Sequence, residues 1–234
     1  MSSTRSFWIT GATRGLAMAM AEQLLADGHR VAVSGRHTHE LEALIELYGP
    51  RLLHLPGNLH ELADAQSAGQ RLQSQWGTLD VLIINAGTCD YLAPNLPAAE
   101  IFEQILQSNW HATEQALASA LPLLARGENP RVMAIFSRYS ALQRYSPAQS
   151  PAGHNSLPHW VREQRKALGD LGVKLMIAAP QSTKSPVSNA LALPEQWTAD
   201  SAAQELLSKL DSEHRELVLE VLDPTLLWPL PSED

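Results

Sequence analysis

Thr10-Gly11-Ala12-Thr13-Arg14-Gly15-Leu16-Ala17 lies between a short apolar run and a helical pattern carried by Leu16, Met20, Leu24 and Leu25. Two glycines at this spacing let a backbone approach a diphosphate at a helix N-terminus, where unpaired N–H groups favour anions. Gly28 closes the helix, and 31–36 reads as the next strand. The unit is therefore a strand-turn-helix-strand candidate for a dinucleotide, with an ordinary glycine turn as the alternative. Arg14 lies inside the turn and Arg36 ends the second strand. Ser34-Gly35-Arg36 supplies no carboxylate for a ribose diol, whereas two guanidiniums can clamp a phosphate bidentately. Two arginines facing solvent are the competing reading.

The elements that must hold this turn follow in regular alternation. Helices are predicted over 40–48, with Leu41, Leu44 and Leu47 on one face, and over 59–76, with Leu62, Ala65 and Leu72 facing inward. Further helices are predicted over 100–125, 157–171 and 202–210, the last started by Thr198 or Asp200. Strands are predicted over 51–55, 79–84, 131–136, 173–179 and 216–221. The apolar run at 79–84 has the character of a strand covered on both faces. Alternation of this kind predicts one α/β domain, a Rossmann-like doubly wound parallel sheet over 1–234, with 222–234 an acidic, proline-rich tail. The stretches 137–155 and 180–194 read as functional loops.

A chain of 234 residues, 44% apolar and 18% charged, supports one substantial core. The net charge of −8 and the lack of a basic run argue against nucleic acid. Cys89 is the single cysteine, so neither an intrachain disulfide nor a thiolate metal site is expected. The histidines have no ligand spacing and no metal is predicted. No long apolar stretch predicts a signal peptide or membrane span, so the expected location is the cytoplasm.

Several stretches, in order, resemble the short-chain dehydrogenase/reductase family. The loop from Thr10 to Ala17 resembles its Thr-Gly-x-x-x-Gly-x-Gly turn, with Ala17 at the last glycine. Asp80 and Asn85-Ala86-Gly87 look like its fourth-strand aspartate and Asn-Ala-Gly signature. Asn109 matches the asparagine that holds a water near the active site, and Ser137 the serine that hydrogen-bonds the substrate oxygen. Pro180 matches the proline that closes over the nicotinamide, and Ser185 falls where a threonine is usual. The resemblance implies a cofactor site of Thr10, Gly11, Thr13, Arg14, Gly15, Leu16, Arg36, Asn58, Leu59, Asn85, Ala86, Gly87, Pro180 and Ser185. The arginines make NADP (NADPH) the expected nucleotide. The family's habit of associating through two helices implies a homodimer or homotetramer built on 100–125 and 157–171, including Trp110 and Trp160.

The departure lies in the catalytic pair. The family uses Tyr-x-x-x-Lys, the tyrosine moving a proton and the lysine lowering its pKa. At the usual separation from Ser137 this chain has Ser150 and His154. Tyr145-Ser146-Pro147-Ala148-Gln149 offers a shorter register, still without a lysine. Ser150 followed by Pro151 also reads as a helix cap, with His154 facing solvent. Three functions are open: a divergent oxidoreductase on an unknown carbonyl or alcohol, a non-catalytic nucleotide sensor or interaction protein, and a lyase or isomerase reusing the cleft. Catalysis, where present, falls to Ser137, Asn109, Ser150, His154 and Tyr145.

Overall fold

The computed structural model describes residues 4–12, 15–35, 39–85, 98–136, 156–180 and 198–218. Seven strands form a single parallel sheet: β1 (Ser6–Thr10), β2 (Arg30–Ser34), β3 (Leu52–Leu55), β4 (Val81–Asn85), β5 (Arg131–Ile135), β6 (Lys174–Ala179) and β7 (Glu216–Val218). Their spatial order is β3-β2-β1-β4-β5-β6-β7. Helices α1 (Gly15–Ala26), α2 (His39–Tyr48), α3 (Leu62–Gln75), α4 (Ala98–Leu124), α5 (Ser156–Asp170) and α6 (Ala199–Lys209) lie between successive strands.

The strand sequences are apolar at nearly every position because both faces are covered. Phe7 and Ile9 of β1 pack towards α1, α2 and α6, whereas Trp8 packs towards α3, α4 and α5. All three are at most 1% exposed, and each side chain contributes about 2–3 kcal/mol through burial. Trp8 carries one polar atom into this core, and its Nε1 donates to Ser34 Oγ at 2.7 Å. On the second face, Gly69 of α3 brings the helix close to Ser119 of α4, where an added Cβ would lie 3.1 Å from the serine Cβ.

The predicted elements are present with shifted ends. Leu47 is 70% exposed rather than inward, because α2 packs through Leu41, Leu44, Ile45 and Tyr48. A residue six positions after Leu41 has turned too far round the helix to share its face. Likewise Leu62 is 59% exposed, since α3 starts there instead of at residue 59. A turn occupies 58–61, with Glu61 N donating to Asn58 O at 2.8 Å, so Leu62 sits at the open helix start while Ala65, Ala68 and Leu72 face the core. Thr198 does start α6, its Oγ1 accepting from Ser201 N at 3.2 Å. The strand predicted over 216–221 is β7 as far as Val218, and the tail over 222–234 lies outside the described residues.

Candidate nucleotide cleft

Strand order reverses direction of growth between β1 and β4, so the loops leaving their C-terminal ends diverge and open a crevice. Thr10 and Asn85 stand on its two sides and are joined across it, Asn85 N donating to Thr10 Oγ1 at 3.1 Å. Gly11 and Gly15 have φ of 65° and 63°, the left-handed region that glycine enters without strain. Thus both glycines of the turn are required by its backbone. Ala12 N donates to Ser34 O at 3.1 Å, which ties the turn to the end of β2. Ala17, at the place of the third glycine, is fully buried inside α1 packing.

Across the crevice the turn after β3 is fixed from two helices. Asp64 of α3 accepts the Asn58 N–H at 2.7 Å, and Gln115 of α4 donates to His60 O at 3.1 Å. His60 Nε2 lies 3.4 Å from Asn58 Nδ2 and 3.1 Å from a Glu61 carboxylate oxygen. Asn58 Oδ1 is buried without a protein partner. A buried acceptor left this way is unfavourable. On α4, Thr113 Oγ1 donates to Asn109 O at 2.8 Å, so that carbonyl is engaged within its own helix.

Six of the sequence-predicted residues, Thr10, Gly11, Asn58, Leu59, Asn85 and Asn109, line this one cleft. Gly15 and Leu16 begin α1 beside it, Leu16 packed against the core. Pro180 follows β6 and is not among the cleft's lining residues. Thr13, Arg14, Arg36, Ala86, Gly87, Ser137, Tyr145, Ser150, His154 and Ser185 lie outside the described residues. Ser34, Gly35, His60, Ala112 and Thr113 also line the cleft and are absent from the sequence-predicted set. Ala112 and Thr113 follow from helical spacing, three and four residues after Asn109. His60 carries no such signal, because a helix predicted from residue 59 places it among ordinary helical positions. No described lining residue is an aspartate or glutamate. Among the described residues no group of His, Cys, Asp and Glu is placed to hold a metal, and no helix is long and apolar enough to cross a membrane.

Comparison with known proteins agrees with this architecture. The short chain dehydrogenase family model matches residues 6–196. Cis-1,2-dihydrobenzene-1,2-diol dehydrogenase from Pseudomonas putida is 31% identical over 132 residues, covering 54% of this chain and 48% of that protein. The match therefore spans about half the length of that relative. A 3-oxoacyl-(acyl-carrier-protein) reductase from Staphylococcus aureus is 26% identical over 196 residues, 82% of this chain and 79% of its own. In fold, the chain is similar to a short chain dehydrogenase from Burkholderia cenocepacia in complex with NADP, with a TM-score of 0.75 at 19% identity, covering 94% and 90% of the two chains. An alcohol dehydrogenase from Thermococcus sibiricus complexed with 5-hydroxy-NADP gives a TM-score of 0.73 at 20% identity, covering 93% and 96%. With the family model matching most of its length, the chain belongs to the short chain dehydrogenase family.

Proposed function

We propose that the protein is a divergent oxidoreductase that binds NADP(H) and acts weakly on a carbonyl or alcohol. The observation that carries the nucleotide part is the cleft itself: two left-handed glycines, an unpartnered Asn58 Oδ1 and no described carboxylate in the lining. The start of α1 offers N–H groups to a diphosphate, and Asn58 Oδ1 would accept from a nucleobase amino group. Arg36 follows Gly35 directly, and its guanidinium with that of Arg14 would hold a 2′-phosphate. The NADP complexes among the structural neighbours support the same nucleotide. When bound, the nicotinamide supplies or accepts the hydride.

The chain's own chemistry then falls to the residues that follow β5. Ser137 would hydrogen-bond the substrate oxygen, and a proton would come from His154 with Ser150 in the longer register or from Tyr145 in the shorter one. A neutral imidazole, with a reference pKa of about 6.5, can relay a proton, but His154 or Gln149 stands at the family's lysine position, so turnover is expected to be slow. Ser150 and His154 at the catalytic positions also favour a second reading, a nucleotide sensor without turnover. For assembly, we propose a dimer or tetramer through α4 and α5. Trp110 and Trp160 on these helices meet with ring centroids 5.5 Å apart while remaining only half-buried, which supports a shared surface.

Titration of NADPH and NADH against the wild type and Arg36→Ala tests the nucleotide reading. NADPH should bind at least tenfold more tightly, about 1.4 kcal/mol, and Arg36→Ala should remove the difference. Equal affinities that the substitution leaves unchanged would reject it. For the chemistry, NADPH oxidation with aldehydes and ketones should fall in Ser137→Ala and in either His154→Ala or Tyr145→Phe. Turnover surviving both donor substitutions would exclude them, and tight binding with no turnover would favour the sensor. A 25.6 kDa species alone in light scattering at micromolar concentration would exclude the assembly.

A further inference from the structure

At the opposite end of the sheet, a groove of about 460 Å³ opens between the starts of β5 and β6, the second half of α5 and the turn before β7. Its described lining carries five cations, Arg131, Arg165, Lys166, Lys174 and Arg215, against one carboxylate, Glu213. This lies on a chain whose net charge is −8. Pairing cancels part of this charge, since Asp211 beside the groove lies 3.2 Å from Arg131 Nε. Glu213 is engaged by Lys174 Nζ at 2.6 Å. Glu216 beside the groove takes bonds from Arg162 at 2.8 and 3.0 Å and from Arg165 at 3.1 Å. Among the described residues, the exposed side chains of Lys166 and Arg215 make neither a hydrogen bond nor an ion pair.

The groove also has a built floor. Arg131 is 6% exposed, and its guanidinium donates to the carbonyls of Leu210, Asp211 and Ser212 at 3.1–3.2 Å. Those carbonyl oxygens, which would repel an anion, are thereby occupied. Arg165 donates through Nη2 to Arg215 O at 2.8 Å, whereas its Nε is buried with no acceptor. Val173 and Leu175 add apolar wall, and the volume lies within the roughly 300–1,000 Å³ of small-molecule sites.

We infer that this groove is a second binding site, separate from the nucleotide cleft, for a small phosphorylated molecule. Lys166 and Arg215 hold the phosphoryl oxygens, and the apolar wall receives the remainder. The site does not depend on the proposed reaction or on the identity of its nucleotide. Gly169 of α5 lines the groove, and a Cβ built there meets no atom within 4 Å. A larger residue at this position therefore meets no backbone and stands at the groove's lining.

Titration of the isotope-labelled full chain with inorganic pyrophosphate, orthophosphate and ribose 5-phosphate, followed by amide chemical shifts, tests the site. Saturable shifts are expected at Gly169 and Arg215, with Gly57 and Asn58 reporting the nucleotide cleft separately. Affinity should fall at least tenfold in Lys166→Ala/Arg215→Ala, and by a similar factor in Gly169→Leu, which alters no charge. Ribose 5-phosphate binding more tightly than orthophosphate would identify a phosphoester ligand, and equal binding an inorganic one. Shifts absent from Gly169 and Arg215 would overturn the inference. So would an affinity that Gly169→Leu leaves unchanged, because the ions would then sit on surface charge outside the groove.

Discussion

The two ends of the sheet use the same seven strands but solve opposite problems. At the N-terminal end, charged side chains cross-link elements far apart in the chain. Asp80 accepts from Ser6 N at 2.7 Å, Ser6 Oγ at 2.8 Å and Glu128 N at 2.8 Å, joining β1, β4 and the approach to β5. Arg5 and Arg131 both reach Asp211, at 2.9 and 3.2 Å. At the C-terminal end, among the described residues, the two lips are joined by a neutral link, Thr10 with Asn85, the Asp64 carboxylate holds only the turn beside it, and Asn58 Oδ1 keeps an unpartnered lone pair. A parallel sheet permits this division because every strand delivers its following loop to one end. The other end is then available for bracing. The cleft accordingly lies at the C-terminal end, and the charged bracing at the N-terminal end.

The comparison is most exposed at Asp80. Asp80→Ala strips three donors of their acceptor in a buried place and should destabilise the fold by about 3 kcal/mol. For a domain of this size that is a fall in Tm of about 6–12 °C. Urea unfolding and a thermal melt would measure it, with nucleotide affinity retained well below the melt. A loss under about 1 kcal/mol would mean the brace is not there.

A smaller effect is expected from Thr10→Val, which keeps shape and removes the acceptor for Asn85 N–H. Stability should drop by about 1 kcal/mol. Nucleotide affinity should drop as well, because the same bond holds the two lips of the cleft together. Lost stability with unchanged affinity would show that the lips are positioned by other contacts.

The smallest expected effect is at His29, just before β2. Burial is the main cause holding its pKa below the usual 6.5, with Asp27 opposing it and Arg5 assisting. Its Nδ1 accepts the Arg5 N–H at 3.2 Å, which only the unprotonated nitrogen can do. The lowered pKa means that the stabilising contribution is complete above pH 6.5 and is lost as the pH falls through the lower folded value. Unfolding free energy measured from about pH 7.5 to 5 should therefore decline more steeply in the wild type than in His29→Gln. Identical slopes would remove His29 from the N-terminal brace.

Much of the cleft is legible in the amino-acid sequence because its signals are local. Gly11 and Gly15 mark a turn whose backbone demands them, and Asn85 ends an apolar strand. Asn58 and Leu59 are legible too, although periodicity runs the turn that holds them into the start of α3. The turn escapes because Asp64, six residues after Asn58, stabilises it through a contact that periodicity does not register. Leu47 goes astray for a related reason. In a short helix the apolar set admits two faces, and packing selects Leu41, Leu44, Ile45 and Tyr48.

The order of amino acids is enough to set the alternation of strands and helices, the glycine turn and the family, since each rests on patterns a few residues long. Which polar groups meet is settled only when the chain closes on itself. Ser6 finds Asp80 across 74 positions, Arg131 finds the 210–212 turn some 80 positions away, and Asn58 shares a cleft with Asn109. These contacts follow from strand order and register. Short-range propensity carries no information about them, because only the closed sheet brings the strand ends within hydrogen-bonding distance.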